Sequence, residues 1–449
     1  MTIPITVSIA LKTNNFMAEP NWGLLEKSQV DDETIEEAID RLVAAHNDDA
    51  DAHIGAGKSL DTHKTQETID HPANSVKTDK VEDEEITNPK IDKLARAFHA
   101  IVDAAGNGDY TDIQSAINYV NGLGGGRIFI KAGTYTPAAT LTLYSNIELI
   151  GEDKDTTILD FNTKTFDGLT ITGTAETNIA NVKISELTIK NVTVTSGKFG
   201  IYIEYAENIT IDSCYFTNNR TEGVASYRGD INIADDVSDR NTEDIIISNC
   251  ISKNSGRFVS GTGTQRISVE NNYVDSNEDN AVKLVNCTDV IVTFNRLLNL
   301  GVSGVLITYQ DAEATAGRVI VKGNIITDAG NNGIGIGAAG GEIAERIIVV
   351  DNIVIDSFNS GIDLDDTTHC TIIGNVIEGS TNAHGIRLAV SDNNIIINNV
   401  CTGASGYGIS ILDAASDKNI VLGNHLLGNT TGALQDNGID TEVGHNIAA

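Results

Sequence analysis

The residues best equipped for chemistry stand in two short phrases, Gly-Ile-Asp-Leu-Asp-Asp at 361–366 and His-Gly-Ile-Arg-Leu at 384–388. In an extended strand Asp363 and Asp365 face the same way, with Cα atoms about 6.6 Å apart. Carboxylates paired at roughly 5–9.5 Å perform glycoside hydrolysis, one as acid and the other as base or nucleophile. Arg387, placed beside Asp363, would keep that carboxylate ionised and suit it to the base role, leaving Asp365 as the acid. His384 would orient one of the two or bind sugar. An exposed charge ladder that serves only solubility accounts for the same residues without any reaction.

Two other groups compete for attention. Tyr227, Arg228, Asp230, Asp235 and Asp236 fall in an insertion at 227–244. Their mix of aromatic, basic and acidic groups suits carbohydrate recognition, and also an ordinary acidic loop. Tyr309 and Asp311 open a second insertion at 309–318, and Lys283 lies in a strand upstream. Asp230 with Glu204 or Asp311 is an alternative catalytic pair. No Asp-x-Asp-x-Asp-Gly phrase is present, so no metal is expected. No cofactor is called for.

All of these residues hang on a repeat. An apolar alternation ending in asparagine recurs at Asn272, Asn295, Asn324, Asn352, Asn375, Asn399 and Asn424. The steps are 23, 29, 28, 23, 24 and 25 residues. Cys250, Cys214 and Leu187 hold the slot upstream. Half a period earlier runs a second series of short strands, headed by Gly200, Gly223, Gly304, Gly333, Gly361, Gly385 and Gly408. Two interleaved series with one period indicate a solenoid, whose units cannot bury their apolar faces alone and so stack. The step suits three short strands per turn of a parallel β-helix, about 11–12 coils in all. The register points Ile362 and Leu364 inward and Asp363 and Asp365 outward. The first outward positions then run Tyr202, Ala225, Lys283, Leu306, Gly335, Asp363 and Arg387, and Gly335 and Gly337 leave an open shelf beside the aspartates. Stacked Asn amides bond to one another about 4.8 Å apart. Three insertions, 227–244, 309–318 and 337–346, are expected to leave along one edge and build a binding site there.

The 449 residues carry a formal net charge of −33. Anionic partners held by bulk electrostatics, nucleic acid and anionic membranes among them, are not expected. No stretch reaches the roughly 18 apolar residues of a membrane helix, and with no basic start and no clean apolar run at the N-terminus a signal peptide is not expected. The odd count of five cysteines, all within the repeat, reads as buried thiols.

The chain divides into a helical or virion-attachment segment at 1–45, a His-rich linker and neck at 46–95, and the β-helix at 96–449. Within the first, 31–45 has the stripe and acidic start of a helix. In the second, His46, His53, His63 and His71 recur in a solvated or fibre-like stretch. The phrases SVKTDKV and EITNPKI resemble the connectors of phage tail fibres and tailspikes, which are usually intertwined in homotrimers. The phrase GDYTDIQSAIN…GGRIFIKAGTY, with a helix at about 111–122, resembles the N-terminal cap of pectate-lyase-like right-handed parallel β-helices. Physically, that helix covers the open apolar end of the first coil. Asp365-Asp366 and His384-Gly385 resemble the Asp pair and Gly-His-Gly of polygalacturonase-type hydrolases.

These resemblances imply an all-β tailspike on a virion tail, attached through its N-terminus to other tail or baseplate proteins. It would bind host cell-surface polysaccharide and hydrolyse it. A non-catalytic receptor-binding fibre and a lyase or epimerase on a uronic acid polymer are the alternatives. The absence of an Asp-Pro-His phrase of the mannuronan-epimerase kind counts against the last.

Overall fold

The structure is a computed structural model describing residues 98–162, 166–192, 198–220, 229–235, 241–310, 318–339 and 342–448. The expected helix at 31–45 and neck at 46–95 lie outside the described residues. The rest is an all-β right-handed parallel solenoid of about 13 coils, one or two more than the repeat count suggests. Three parallel sheets of 14, 12 and 13 strands form its faces. Each coil contributes one strand of the asparagine series to the 14-stranded sheet. A short strand after the asparagine joins the 13-stranded sheet, and a Gly-headed strand joins the 12-stranded sheet.

Alternation builds the core. In the 12-stranded sheet Ile334, Ile362, Ile386 and Ile409 stack in register and are fully buried. The corner before each ladder residue explains the Gly-Asn phrase. The backbone there is left-handed in coil after coil, at Gly323 (φ 66°), Asp351 (φ 56°), Gly374 (φ 68°), Asn398 (φ 55°) and Gly423 (φ 67°). Gly, Asn and Asp tolerate that conformation best. The chain then turns inward, and the asparagine is buried.

The ladder forms as expected and continues to Asn446. In each rung the Nδ2 and backbone N–H of one asparagine donate to Oδ1 of the next. For Asn324 on Asn352 these distances are 3.0 and 2.9 Å. The same Nδ2 donates to a backbone carbonyl of the preceding coil, as Asn352 does to Val321 at 2.9 Å. Cys250 begins the ladder by donating its N–H to Asn272 Oδ1. All five cysteines are buried free thiols.

Helix α1 (Ile113–Gly122) closes the first coil. Asp112 caps it by accepting from the Ser115 N–H at 2.7 Å, and Ile113, Ala116, Ile117 and Val120 are the buried stripe. It begins two residues later than expected, because Asp112 stays extended to form the cap.

Two expectations about the coils change. The place expected for the strand headed by Gly223, which lies outside the described residues, is held by Ile231–Ala234, whose Ile231 and Ile233 pair in register with Ile201 and Ile203. A further strand, Val259–Thr262, stands between it and the Lys283 strand. Its sequence, Val-Ser-Gly-Thr, carries one large apolar residue and gives almost no alternation signal. The extra residues of the oversized coil therefore lie on both sides of Ile231–Ala234 in sequence, not only after it.

Candidate functional site

Parallel register stacks one outward side chain per coil on the 12-stranded sheet. The column runs Tyr202, Asn232, Ser260, Lys283, Leu306, Gly335, Asp363, Arg387 and Ser410. Asp363 and Asp365 lie on Ile362–Asp365 and face outward, while Ile362 and Leu364 fill the core. Arg387, on Ile386–Ala389, is the register partner of Asp363.

Arg387 Nη1 donates to Asp363 Oδ1 at 2.7 Å and lies 3.6 Å from Asp365 Oδ2. Asn332 Nδ2 donates to the other Asp363 oxygen at 2.9 Å. Asp363 is thus fixed at both oxygens. Asp365 is less constrained; its side chain is 49% exposed against 19% for Asp363. Partial burial pushes the Asp365 carboxyl above the ordinary carboxylate range. Arg387 opposes that shift, and the charges of Asp363 and Asp366 add to it. The two carboxylates therefore differ in exposure and in hydrogen bonding.

His384 sits in the slot before Gly385. Its Nδ1 accepts from the Tyr407 N–H at 3.0 Å, which puts the ring proton on Nε2. The ring stacks on Tyr407 with centroids 5.9 Å apart. Burial, then Arg387, lowers its pKa, and Asp363 partly offsets this. Gly406 makes room beneath it, since a Cβ there would meet His384 Nδ1 at 2.5 Å. The sequence column of residues before the glycines contains Asn332, His384 and Tyr407, yet only His384 stands out by type. The contacts of Asn332 and Tyr407 come from cross-coil register.

Other expected site residues part company with this patch. Lys283 is three coils away by register, about 14 Å at roughly 4.8 Å per coil. Its pKa is lowered by burial and then by Arg257, with Asp279 opposing. Arg257 and Asp279 form a buried ion pair at 2.6 Å, which the unrecognised Val259–Thr262 coil kept out of the sequence reading. Asp230 is not a surface ligand, nor is it a catalytic partner for Glu204. It occupies the glycine slot, is fully buried, and accepts from Asn219 Nδ2 at 2.9 Å and Ser252 Oγ at 2.5 Å. Tyr309 is also interior, with its hydroxyl donating to the Cys287 carbonyl at 2.9 Å. Its aromatic bulk completes the core rather than a binding surface. Tyr227, Arg228 and Asp311 lie outside the described residues. Gly335 and Gly337 are buried beside Leu306, Asn332 and Asp365, so the expected open shelf is closed.

Among the described residues, no group of three or more His, Cys, Asp or Glu is placed to hold a metal ion. None of their helices is long and apolar enough to cross a membrane.

Two family models match parts of the chain. Residues 167–345 match a right-handed β-helix region, and 313–447 match the periplasmic copper-binding protein NosD. Among the described residues of the second stretch no group of three or more His, Cys, Asp or Glu is placed to hold a metal ion. No curated protein matches the chain. Among solved structures, the A-module of the mannuronan C-5 epimerase AlgE6 of Azotobacter vinelandii superposes with a TM-score of 0.63. It is 19% identical, with 75% of this chain and 94% of that one covered. A periplasmic alginate epimerase, AlgG, gives 0.50 at 14% identity over 72% and 77%. Tailspike protein 3 of bacteriophage CBA120 gives 0.49 at 14% over 77% and 60%, too loose an overlap to argue from. At these identities the likeness establishes the fold alone.

Proposed function

We propose that this chain is a tailspike that hydrolyses host cell-surface polysaccharide at Asp363 and Asp365. The observation that carries the reading is the inequality of the two carboxylates. Arg387 and Asn332 hold Asp363 at both oxygens, while burial and neighbouring negative charge favour a proton on Asp365.

Both carboxylates reach the same guanidinium nitrogen, so their facing oxygens are at most about 6.3 Å apart. Inverting pairs need roughly 6.5–9.5 Å to house a water, and retaining pairs about 5–5.5 Å. On this reading the pair works by the retaining route. Asp363 attacks the anomeric carbon as the glycosidic C–O bond breaks, and Asp365 gives its proton to the leaving oxygen. Water then cleaves the glycosyl ester and passes a proton to Asp365. His384 Nε2–H and the Tyr407 ring offer a donor and a stacking face to the sugar.

The substrate class follows from charge. Arg387 is already matched by the Asp363 carboxylate at 2.7 Å, and the whole chain carries −33. A uronate would add a second negative group at that cation, so a neutral polysaccharide suits the patch. A lyase or epimerase would use neutral His384 as base and Arg387 as the uronate's counter-ion, but that cation is already engaged. A non-catalytic fibre would use the same face for binding alone. The virion location, attachment to other tail proteins through the N-terminus, and homotrimeric assembly belong to this reading too. They rest on the resemblance of 75–95 to trimeric connectors.

The test incubates the full-length chain with neutral and uronate-containing bacterial surface polysaccharides. Reducing ends without absorbance at about 230–240 nm are expected. Unsaturated ends, or binding without cleavage of any polymer tried, would replace the reading with elimination or a binding fibre.

A further inference from the structure

The face of the 12-stranded sheet that carries Asp363 holds a second polar group, of opposite sign, in earlier coils. Register places Asn232, Ser260 and Lys283 in one outward column on consecutive coils, with Ala234, Thr262 and Val285 in the next. Neither column holds a carboxylate over these three coils, in a chain of net charge −33. The buried Arg257–Asp279 pair adjoins them. Arg257 Nη1 donates to Ser260 Oγ at 3.1 Å, so the hydroxyl hydrogen of this buried serine is left to serve another acceptor. Asp279 is engaged at both oxygens: one accepts from Arg257 Nη2 at 2.6 Å, the other from the N–H and Nδ2 of Asn280 at 2.7 and 2.5 Å. Lys283 is partly buried and makes no ion pair among the described residues, whereas Lys131, Lys154, Lys183, Lys190, Lys198 and Lys418 each pair with a carboxylate. Burial and then Arg257 lower its pKa, with Asp279 opposing, so this ammonium stands beside a second cation without a counter-ion of its own.

We propose that Lys283 and Ser260 bind the carboxylate of an acidic sugar unit, in a polysaccharide whose units at Asp363 are neutral. The Lys283 ammonium and the Ser260 hydroxyl are neighbouring donors in register, the set that a carboxylate's two oxygens accept from. Lys283, Arg257 and Asp279 together carry one positive charge. That matches a singly charged carboxylate, while a phosphate dianion would leave surplus negative charge on an already acidic chain. The position relative to Asp363 rests on the hydrolytic reading above. Lys283, Leu306, Gly335 and Asp363 are successive register partners, so a sugar chain touching both sites runs along the solenoid axis. One coil, about 4.8 Å, is close to the length of one sugar unit in an extended chain, so about three units separate the acidic unit from the cleaved bond. No charged side chain intervenes in the two outward columns between the sites, which hold Leu306, Gly335, Thr308 and Gly337. The substrate is therefore a mixed polymer with an acid spaced along its repeat. A polymer acidic at every unit would bring carboxylates against Asp363 and Asp365.

Calorimetric titration of the full-length chain with sodium glucuronate tests the site without reference to any cleavage. Saturable binding is expected, with glucose and glucose 6-phosphate binding at least tenfold more weakly. Lys283→Gln is expected to weaken glucuronate at least tenfold and Ser260→Ala severalfold, with unchanged far-ultraviolet circular dichroism, and Lys283→Arg to retain binding. No saturable binding by the wild type, equal binding by Lys283→Gln, or a preference for the phosphate overturns the site. A second arm tests the spacing on an acidic polysaccharide that the wild type cleaves. There Lys283→Gln is expected to raise KM at least tenfold with kcat within a few fold, and reduction of the polymer's carboxylates to alcohols is expected to abolish the difference between variant and wild type. An unchanged KM overturns the link between the two sites. Absence of cleavage of any polymer removes the hydrolytic reading, while the glucuronate titration still decides for or against the carboxylate site.

Discussion

Arg387 Nη1 is shared by two carboxylates of one strand, 2.7 Å from Asp363 and 3.6 Å from Asp365. Arg387 reaches them from the next coil, so the arrangement depends on coil register as much as on sequence. Asn332, one coil on the other side, holds the second oxygen of Asp363. If this is a hydrolytic centre, Asp363→Asn and Asp365→Asn each reduce reducing-end release by at least about 100-fold. Retention on a polysaccharide column stays within a few fold. Full activity in both variants would falsify the assignment.

The pH profile carries a sign. Asp365 acts as acid only while protonated, so activity declines as pH rises through its pKa, which lies above the ordinary carboxylate value. Arg387 is the main group opposing that elevation. Arg387→Gln is therefore expected to move the alkaline limb of residual activity to higher pH. A limb that stays put or moves down would remove Asp365 from the acid role.

Asp230 makes a separate prediction about stability. Burial pushes its carboxyl up to about 7, against hydrogen bonds from Ser252, Asn219 and Ser255 that lower it. A folded-state pKa above the unfolded one means that the folded chain holds the proton more tightly. The stabilisation is complete below about pH 4 and is lost as pH rises to about 7, a change of a few kcal/mol for this group. Asp230→Asn keeps a polar partner for Asn219 and Ser252 without the ionisable group. Comparing melting temperatures at pH 5 and pH 8 should show the variant losing less on the alkaline side than wild type.

The asparagine ladder should be costly to break. Asn352 accepts from both donors of Asn324 and donates to Val321 and Asn375. Asn352→Ala strands buried groups on two coils and is expected to cost about 2–4 kcal/mol. Chemical denaturation reads this directly, and a cost under about 0.5 kcal/mol would mean that water replaces the amide.

The thiols offer a simple check on the core. Cys214, Cys250, Cys287, Cys370 and Cys401 are all buried, and burial raises the Cys370 thiol to about 11. None should react with a disulfide reagent at pH 8 in the native chain, and all five should react in guanidinium. Rapid labelling of any one under native conditions would place it outside the core.

The sequence by itself determined the repeat, the capping helix, the inward and outward assignment of Asp363 and Asp365, and the ladder of asparagines. Those features follow from a two-residue alternation and from the left-handed corner that Gly and Asn tolerate, both local properties. Only the tertiary structure decided what stands beside what across coils. Val-Ser-Gly-Thr enters the sheet because its neighbours pair with it, and its own pattern gives no sign of that. Ile231–Ala234 takes a place expected for the Gly223 phrase, and so Asp230 turns into the core. Tyr309 closes the interior instead of lining a surface. Asn332 and Tyr407 join the patch because residues about one period apart in sequence are neighbours in space, at a separation that insertions shift coil by coil.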